Sequence, residues 1–473
     1  MGPAKAVRQA AWRPRLPKAP LSNIVAEALA VLLLGPLFLH AAFWNGFPFV
    51  FYDTGAYVLE GLGHVLVPER SSVYSLFLRH AGARASLWYV AYAQAGIAAF
   101  TVTEFARAVR PQTSLWELLA IGVALAFFTS IAWFVGQIEP DFLTAVLPLS
   151  LYPLAFRARE VGWLRGAALV GIAAFAIGAH PSHLGLSLGL VLGVALYKIV
   201  RFALRRRENL PNAGVVLPLL SFALGLAMVY AANYALTHKY FISRAGMTFL
   251  TARLMGDGVV GPTLDQICPT TPLKLCAYKD RLPRTADDYL WAPESPFNKL
   301  GRFKGTEKEY QTIALESLKH YPWRSVRTGL YQSLLQFGMF RTGDGVFPQM
   351  SVLSTEFRNF MPKQIGAYLK ARQQRGALRF VDVNVVHYTL AALSVVWLGF
   401  VLWGAARRKQ WDKATLPAFL FLALLGNALV CGMISGPHDR YQARLIWVVP
   451  FALLLTARPR LHPVLRWPVE SGT

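Results

Sequence analysis

The sequence predicts an all-α polytopic membrane protein with about ten transmembrane helices. Of its 473 residues, 55% are hydrophobic and 15% are charged, and the mean hydropathy is +0.38, whereas a soluble domain carries more charge than this. Apolar runs long enough to cross a bilayer recur along the chain. The 48 Lys and Arg residues fall in short clusters between these runs. A nucleic-acid-binding protein would instead carry one basic face, so that class is excluded.

Ten apolar segments are predicted to span the membrane, because a spanning helix requires about 20 mostly apolar residues. The fourth, fifth and tenth are short, and each is consistent with a full crossing or with a re-entrant or tilted helix. The first is too long for the core of a signal peptide and is predicted to be retained. The segments are 22–43, 85–106, 115–135, 142–156, 166–180, 184–200, 213–236, 386–406, 414–434 and 444–458.

Basic residues orient the chain, because cytoplasmic loops carry an excess of Lys and Arg. If the basic N-terminus 1–21 and the tail 459–473 are cytoplasmic, every predicted cytoplasmic loop is basic, while the short outer loops 136–141 and 180–183 contain no Lys or Arg. This layout predicts a multi-pass protein of a bacterial inner membrane. The cytoplasmic clusters are Lys5, Arg8, Arg13, Arg15 and Lys18; Arg107 and Arg110; Arg157, Arg159 and Arg165; Lys198, Arg201, Arg205, Arg206 and Arg207; Arg407, Arg408, Lys409 and Lys413; and Arg458, Arg460 and Arg466.

Two long segments are predicted on the outer face. The first, 44–84, joins spans one and two within a transmembrane module over 22–236. The second, 237–385, carries Pro, Gly and charge throughout and is long enough for a small, mainly helical periplasmic domain. Spans eight to ten follow over 386–458.

The sequence has three cysteines, too few for a disulfide scaffold or a four-cysteine zinc site. Cys268 and Cys276 both lie in the segment 237–385. An oxidising outer compartment would permit these two to form a disulfide, and two free thiols are the alternative.

Two helices are predicted in the middle of that outer segment. Thr306 is expected to cap the first, with Glu309 three residues later completing a capping box. The second, over 323–340, mixes Trp, Arg, Leu and Phe in a way suited to a membrane surface. The apolar stripe of the first is predicted to include Ile313, Leu315 and Leu318.

Asp53 begins Asp-Thr-Gly, the three-residue signature of an aspartic protease. Such a protease requires a β-sheet fold that brings two aspartates together to share a proton. This sequence contains one Asp-Thr-Gly, next to a predicted helix end, so the protease interpretation is set aside. Asp53 remains either a turn residue that starts a helix or a functional carboxylate at the outer face.

Three further turns on the predicted outer face carry ionisable residues. Each turn alone is equally consistent with a helix cap or a polar loop, but ionisable groups gathered at one face between spans are the usual mark of a site. The residues are Glu139 and Asp141 in Glu-Pro-Asp, His180 and His183 in His-Pro-Ser-His, and His438, Asp439, Arg440 and Arg444 in the last outer turn.

The order of these features resembles the GT-C superfamily of integral-membrane glycosyltransferases, which use lipid-phosphate-linked sugars as donors. A first span leads into a long outer loop with an acidic residue near its start, here Asp53 in FYDTGAYVLEGLG. A short second outer loop carries an acidic motif, here Glu139 and Asp141 in GQIEPDFL, and a large outer domain lies late in the chain. The layout covers most of the chain, but only these three residues match individually. A lone Asp in the first loop, in place of an acidic pair, departs from the commonest pattern.

The resemblance implies an inverting transfer with Asp53 as general base on the acceptor hydroxyl, and it assigns no subfamily. Independently, a sugar phosphoester requires a base near the acceptor and positive charge near the departing phosphate. Arg440 and Arg444 are predicted to bind that phosphate, because a guanidinium offers paired donors. Glu139, Asp141, His180 and His183 are expected either to orient the acceptor or to bind a divalent cation, Mg²⁺ or Mn²⁺, for which Asp53 is a further ligand. The remaining predicted substrate-binding residues are His438 and Asp439.

The expected partners are the bilayer, a lipid-phosphate-linked sugar and an envelope glycan, lipid or protein as acceptor. A transporter or flippase of lipid-linked precursors is the main alternative. It would place ionisable residues near mid-membrane, whereas Glu104 and Glu117 lie near span ends. A non-catalytic envelope assembly protein is the third interpretation, and it would make Asp53 dispensable.

Overall fold

The computed structural model describes residues 21–203, 213–348 and 353–457, and within these ranges it is built from helices and loops without a β-strand. An isolated bridge pairs Phe49 with Gln137. The predicted helical class is therefore confirmed. The basic N-terminus, Arg205–Arg207 and the tail 459–473 lie outside the described residues.

Five helices in the described part are long and apolar enough to cross a membrane: Ile24–Asn45, Pro181–Ala203, Val216–Thr237, Phe380–Arg407 and Trp411–Ile434. Three shorter apolar helices cover Leu115–Phe128, Pro140–Phe156 and Trp163–Ala179. The chain is thus a helical membrane protein. The count of ten spans stays a prediction, because the segments 85–106 and 444–458 form helices that fall outside both groups.

The helices before the outer segment are α1 (Leu21–Phe38), α2 (His40–Asn45), α3 (Tyr52–Gly63), α4 (Ser72–His80), α5 (Leu87–Val109), α6 (Leu115–Phe128), α7 (Ile131–Val135), α8 (Leu143–Phe156), α9 (Ala158–Val161), α10 (Trp163–Ala179), α11 (Pro181–Ala203) and α12 (Val216–Thr237). A 3₁₀ helix over Pro140–Phe142 precedes α8.

The outer segment contains α13 (Gly246–Gly256), α14 (Val260–Ile267), α15 (Ala286–Trp291), α16 (Pro296–Lys299), α17 (Glu307–His320), α18 (Pro322–Gly338), α19 (Leu353–Phe360) and α20 (Ile365–Lys370), with 3₁₀ helices at Lys274–Arg281 and Pro362–Gln364. The chain then forms α21 (Phe380–Arg407), α22 (Trp411–Ile434), α23 (Asp439–Ile446) and α24 (Val448–Thr456).

Two of the predicted spans are interrupted near one end of the bundle. The third breaks between α6 and α7, where Ser130 Oγ donates to the carbonyl oxygen of Ala443 at 2.6 Å. The tenth breaks at Trp447, between α23 and α24. Arg440 and Arg444 therefore lie on a short helix inside the bundle, and the expectation that they form an outer turn is wrong.

The outer segment divides between two cores. Helices α13–α17 enclose a separate core that includes Tyr289, Phe297 and Tyr310, with Cys268 and Cys276 joined by a disulfide at its edge. Helices α19 and α20 instead place Phe357 and Tyr368 in the core of the transmembrane helices. The segment 237–385 is therefore not built around a single core.

The start of α17 differs from the expected capping box. Thr306 makes no capping bond with its side chain; its Oγ1 donates to the Arg302 carbonyl at 2.8 Å. Glu309 Oε1 accepts from the backbone N–H of Leu275 at 2.8 Å, so it joins α17 to the disulfide loop. The buried face of α17 comprises Tyr310, Ile313, Ala314 and Ser317, while Leu315 is exposed.

Candidate active site

The backbone brings the first outer loop against the loop that carries Glu139. Phe49 N–H donates to the Gly136 carbonyl and Ile138 N–H donates to the Phe49 carbonyl, both at 2.9 Å. Five residues further on, Thr54 Oγ1 lies 2.9 Å from Glu139 Oε1. These contacts fix α3, and with it Asp53, beside the Glu-Pro-Asp segment.

Asp53 lies in the first turn of α3, after Phe51 at the N-cap position. Its Oδ1 is paired with Arg70 Nη2, and its Oδ2 lies 3.7 Å from Arg440 Nη2. A carboxylate is favoured near a helix N-terminus. Here, however, its partners are two guanidinium groups, one from the same loop and one from α23, so Asp53 also joins α3 to other parts of the chain.

Asp141 forms the second half of the same cluster. Its Oδ1 accepts from Arg444 Nη1 at 2.5 Å, and its Oδ2 lies 3.6 Å from Arg440 Nε. Arg440 therefore bridges Asp53 and Asp141. We call this set the ionic cluster: Asp53, Arg70, Glu139, Asp141, Arg440 and Arg444.

Burial divides the ionic cluster into two layers. The side chains of Asp53, Arg70 and Arg440 are 16%, 11% and 10% exposed, whereas Glu139, Asp141 and Arg444 are closed off from solvent. A ligand can reach the first layer, and the second layer supports it from beneath.

A glycine-containing loop packs against Phe51, whose ring also contacts Arg440. The Arg440 guanidinium stacks on the Phe51 ring at 4.0 Å, a favourable cation–π arrangement. Gly345 lies against the same ring, and a Cβ atom there would come within 1.7 Å of Phe51. Its φ of +76° also favours glycine. Only a residue without a side chain permits this approach.

Several buried polar atoms of the ionic cluster have no hydrogen-bond partner among the described residues: Arg70 Nε, Arg440 Nε and Nη1, Arg444 Nε and Asp141 Oδ2. A buried donor left unpaired costs about 1–3 kcal/mol. Bound water or an anionic ligand that accepted from Arg70 and Arg440 would remove this cost.

Burial disfavours the ionised form of Glu139. Together with the charges of Asp53 and Asp141, burial raises the pKa of Glu139 well above the ordinary value, against the opposing effect of Arg440 and Arg70. The guanidinium groups of Arg70 and Arg440, with nitrogen atoms that have no hydrogen-bond partner among the described residues, suit the ionic cluster to an anion.

A small cleft adjoins the ionic cluster at Arg70. Its polar wall includes Arg70, Ser72 and Asn233, and its apolar wall includes Leu184 from α11 and Val229 from α12. Both α11 and α12 are long and apolar enough to cross a membrane. The cleft thus joins a cationic group to an apolar surface, a combination that suits an amphipathic anion.

His180 and His183 differ in their surroundings. His180 lies beside the ionic cluster, with its Nδ1 2.8 Å from Ser182 Oγ. The same Ser182 Oγ accepts a hydrogen bond from Arg444 Nη2 at 3.2 Å. His183 is buried between Thr144 Oγ1 at 2.7 Å and the Ala176 carbonyl at 2.6 Å, as a packing residue would be.

His438 and Asp439 lie apart from the ionic cluster. His438 faces Asp287 of the outer core at 3.4 Å and Asp344 at 3.8 Å, and Asp287 raises its pKa. Asp439 Oδ1 accepts from the Arg341 backbone N–H at 2.8 Å. Both residues attach α23 to neighbouring segments and do not line the site.

Among the described residues, no group of three or more His, Cys, Asp and Glu side chains is arranged to hold a metal ion. Asp53 and Asp141 face guanidinium groups, and Glu139 faces Thr54. The residues present therefore do not fit the divalent cation expected at Asp53, Glu139 and Asp141, and we derive no step through one.

Sequence reasoning missed Arg70 and Thr54. Arg70 lies in Glu-Arg-Ser-Ser within the segment 44–84, which also contains Arg79 and Arg84. Nothing in the sequence distinguishes Arg70 from these two arginines.

Comparisons with protein-family models, curated proteins and solved structures find no significant match to this chain.

Proposed function

We propose that this protein is a membrane glycosyltransferase that moves a sugar from a lipid-phosphate donor to an envelope acceptor, with Asp53 as general base. The observation that supports it best is the pairing of an accessible carboxylate, Asp53, with Arg70 at the edge of an amphipathic cleft. The resemblance to the GT-C superfamily in layout points the same way. The proposed setting is the periplasmic side of a bacterial inner membrane.

In the proposed reaction the acceptor hydroxyl attacks the anomeric carbon of the sugar. Asp53 accepts the hydroxyl proton as the new glycosidic bond forms. The bond between the anomeric carbon and the phosphate oxygen breaks, and the lipid phosphate leaves with the electron pair. Arg70 and Arg440 stabilise the charge on that phosphate.

Arg444 has a different role in this proposal from the one predicted from the sequence. Arg444 is fully buried and bound to Asp141, so it supports Arg440 and does not reach the donor. Arg70, at the cleft, takes its place as the second phosphate ligand.

An exposed aromatic pair offers a surface for the acceptor. Tyr52 precedes Asp53 directly, and its ring lies 5.3 Å from that of Phe347 in a T-shaped arrangement; both rings are close to half exposed. Aromatic faces supply a large contact area beside polar groups. The two rings could therefore hold a sugar ring of the acceptor next to Asp53.

The first test compares wild type with Asp53→Asn in a strain lacking the gene, at equal membrane abundance. Because the base is lost, we expect transfer to fall by a factor of about 10²–10⁴. Mass spectrometry of envelope lipids and glycans should show an acceptor lacking one sugar and accumulation of the sugar-lipid donor. Asp412→Asn, an exposed carboxylate at the far end of α22, is the matched control. Full rescue by Asp53→Asn would overturn the proposed base.

A second test separates transfer from transport. The protein is purified in detergent and mixed with a sugar-lipid extract and an acceptor extract from the host. Transfer in micelles, where no membrane separates two compartments, requires catalysis. If transfer occurs only in cells, the transporter interpretation would replace this proposal.

A further inference from the structure

Helix α18 has the reverse of the polarity expected for a helix in water. A helix at a water-facing surface buries its apolar residues and exposes its polar ones. The residues that α18 buries are Ser325, Gly329, Ser333 and Gln336. The residues that it exposes include Trp323, Val326, Leu330, Tyr331, Leu334 and Leu335.

The buried small residues of α18 pack closely on the end of α22. A Cβ atom at Gly432 would meet the Ser333 backbone at 2.6 Å, and one at Gly329 would meet Met433 Cε at 3.2 Å. Ser325, Gly329 and Ser333 recur every fourth residue, the spacing by which membrane helices approach one another closely. Helix α22 is itself long and apolar enough to cross a membrane.

Helix α12, another candidate span, shows the same polarity. It buries Ser221 and Gly225 and exposes Leu220 and Leu224. Helix α17 shows the opposite pattern, because its exposed face is polar apart from Leu315: Glu307, Lys308, Gln311 and Lys319. The polarity therefore reverses at Pro322, where α17 gives way to α18.

We infer that α18 lies in the membrane interface at the end of the bundle that holds the ionic cluster, with its Leu330 and Leu334 face against lipid acyl chains. Its 17 residues span about 25 Å, less than the roughly 30 Å of a hydrocarbon core. Its small residues contact the Gly432 and Met433 end of α22, so α18 lies at that edge of the bilayer and does not cross it.

The residues that flank the apolar face fit the same partner. Arg324 and Arg327 are exposed near the start of α18, where they suit anionic headgroups. Trp323 and Tyr331 are the side chains enriched at membrane interfaces. Trp, Tyr and Arg are also frequent in protein–protein interfaces, so the test below distinguishes lipid from a protein partner.

This placement anchors the ionic cluster to the membrane surface. Gln336 at the end of α18 donates to the His438 carbonyl and accepts from the His438 N–H, both at 2.9 Å. Arg440 follows two residues later. Contact of α18 with lipid therefore sets the depth at which α23 begins, whatever reaction the site performs.

The test measures the depth of spin labels on the full-length protein in lipid nanodiscs. Leu330→Cys and Leu334→Cys on α18 are compared with Leu315→Cys on α17, because Leu330 and Leu315 are 51% and 50% exposed. The unsubstituted protein is the blank, since its free thiol, Cys431, is buried. We expect labels on α18 to collide more with oxygen and at least tenfold less with a water-soluble nickel complex than the label at 315.

Equal nickel accessibility at positions 330 and 315 would overturn the inference, because α18 would then face water. Low accessibility to both oxygen and nickel at 330 would also overturn it, because another protein would then cover the helix. Matching elution profiles on size exclusion confirm that the three variants fold alike.

Discussion

Arg440 joins the two halves of the ionic cluster, because its guanidinium lies between Asp53 and Asp141. Arg70 and Arg444 each hold one of these carboxylates from the other side. Arg70 Nε and Arg440 Nε and Nη1 have no hydrogen-bond partner among the described residues. An anion that enters from the cleft would accept hydrogen bonds from these two guanidinium groups.

Arg70→Gln tests the proposed phosphate ligand. The change removes one charge-assisted contact, worth about 1.5–3 kcal/mol. We expect the ratio kcat/KM for the sugar-lipid to fall at least tenfold, mainly through a higher KM. Steady-state kinetics with purified protein measure it. Arg84→Gln, an exposed arginine after the same loop, should behave as wild type, and equal losses in both variants would count against a specific role for Arg70.

Glu60 predicts a pH dependence of stability. It is fully buried, accepts from Ser72, Ser75 and the Val67 N–H, and burial raises its pKa from 4.5 to about 7. Between these values the folded protein keeps a proton that the unfolded chain releases. This contribution to stability is therefore present at low pH and is lost as the pH rises towards 7, by at most about 3 kcal/mol.

Glu60→Gln should reduce the loss of stability between pH 5 and pH 7, because the amide does not titrate. Thermal unfolding in detergent at several pH values measures the slope. Glu69→Gln is the matched control from the following loop, and it should keep the wild-type slope. An unchanged slope in Glu60→Gln would show that another group is responsible.

At the scale of elements, ion pairs link the helices at both ends of the bundle. At the end opposite the ionic cluster, Arg165 of α10 donates to both carboxylate oxygens of Glu27 on α1 at 2.7 and 2.9 Å. Arg165 Nε also lies 3.6 Å from Glu104 on α5. Three helices are thereby tied at a point remote from the proposed chemistry.

Arg165→Leu should therefore destabilise the protein without altering the site. Glu27 keeps its second partner, Arg107, but the almost fully buried Glu104 loses its ion pair with Arg165, and a buried charge without a partner is destabilising. We expect a clearly lower melting temperature, with transfer per folded molecule unchanged. Arg159→Leu, an exposed neighbour, is the control. A loss of turnover at full stability would contradict this division of roles.

The disulfide stabilises the outer core as an element of its own. It closes a loop with a sequence separation of 8, for which loop-closure entropy contributes about 2–3 kcal/mol. Cys268→Ser with Cys276→Ser should make α13–α17 the first part cleaved in limited proteolysis. Reduction of the wild type should reproduce that pattern. If the cleavage pattern does not change, the α13–α17 core is stable without the bridge.

At the scale of the whole molecule, the ionic cluster lies at one end of the bundle, and Arg165 with its partners Glu27 and Glu104 lies at the other. The basic residues in the loops predict that the end of the bundle with Arg165 faces the cytoplasm. Arg159→Cys and Lys304→Cys, both exposed positions, test this with a membrane-impermeant maleimide. We expect labelling at 304 in spheroplasts and labelling at 159 only after permeabilisation. The reverse result would invert the predicted topology.

The sequence alone determined the helical membrane class and most helix positions, because apolar runs and basic clusters are local properties of the chain. It also selected Asp53, Glu139, Asp141, Arg440 and Arg444, because ionisable residues next to apolar spans stand out in any window. For the segment after Pro322, the composition predicted a helix suited to a membrane surface but did not indicate which of its residues would be buried.

Only the tertiary structure decided which of these residues meet. The contact of Asp53 with Arg440 joins segments hundreds of residues apart, and the pairing of Asp53 with Arg70 depends on how the first loop folds back on itself; no local pattern encodes either. The same holds for the separation of His438 and Asp439 from the cluster, and for the small-residue face of α18. Packing, and not composition, determines which side of a helix is buried and which carboxylate faces a guanidinium.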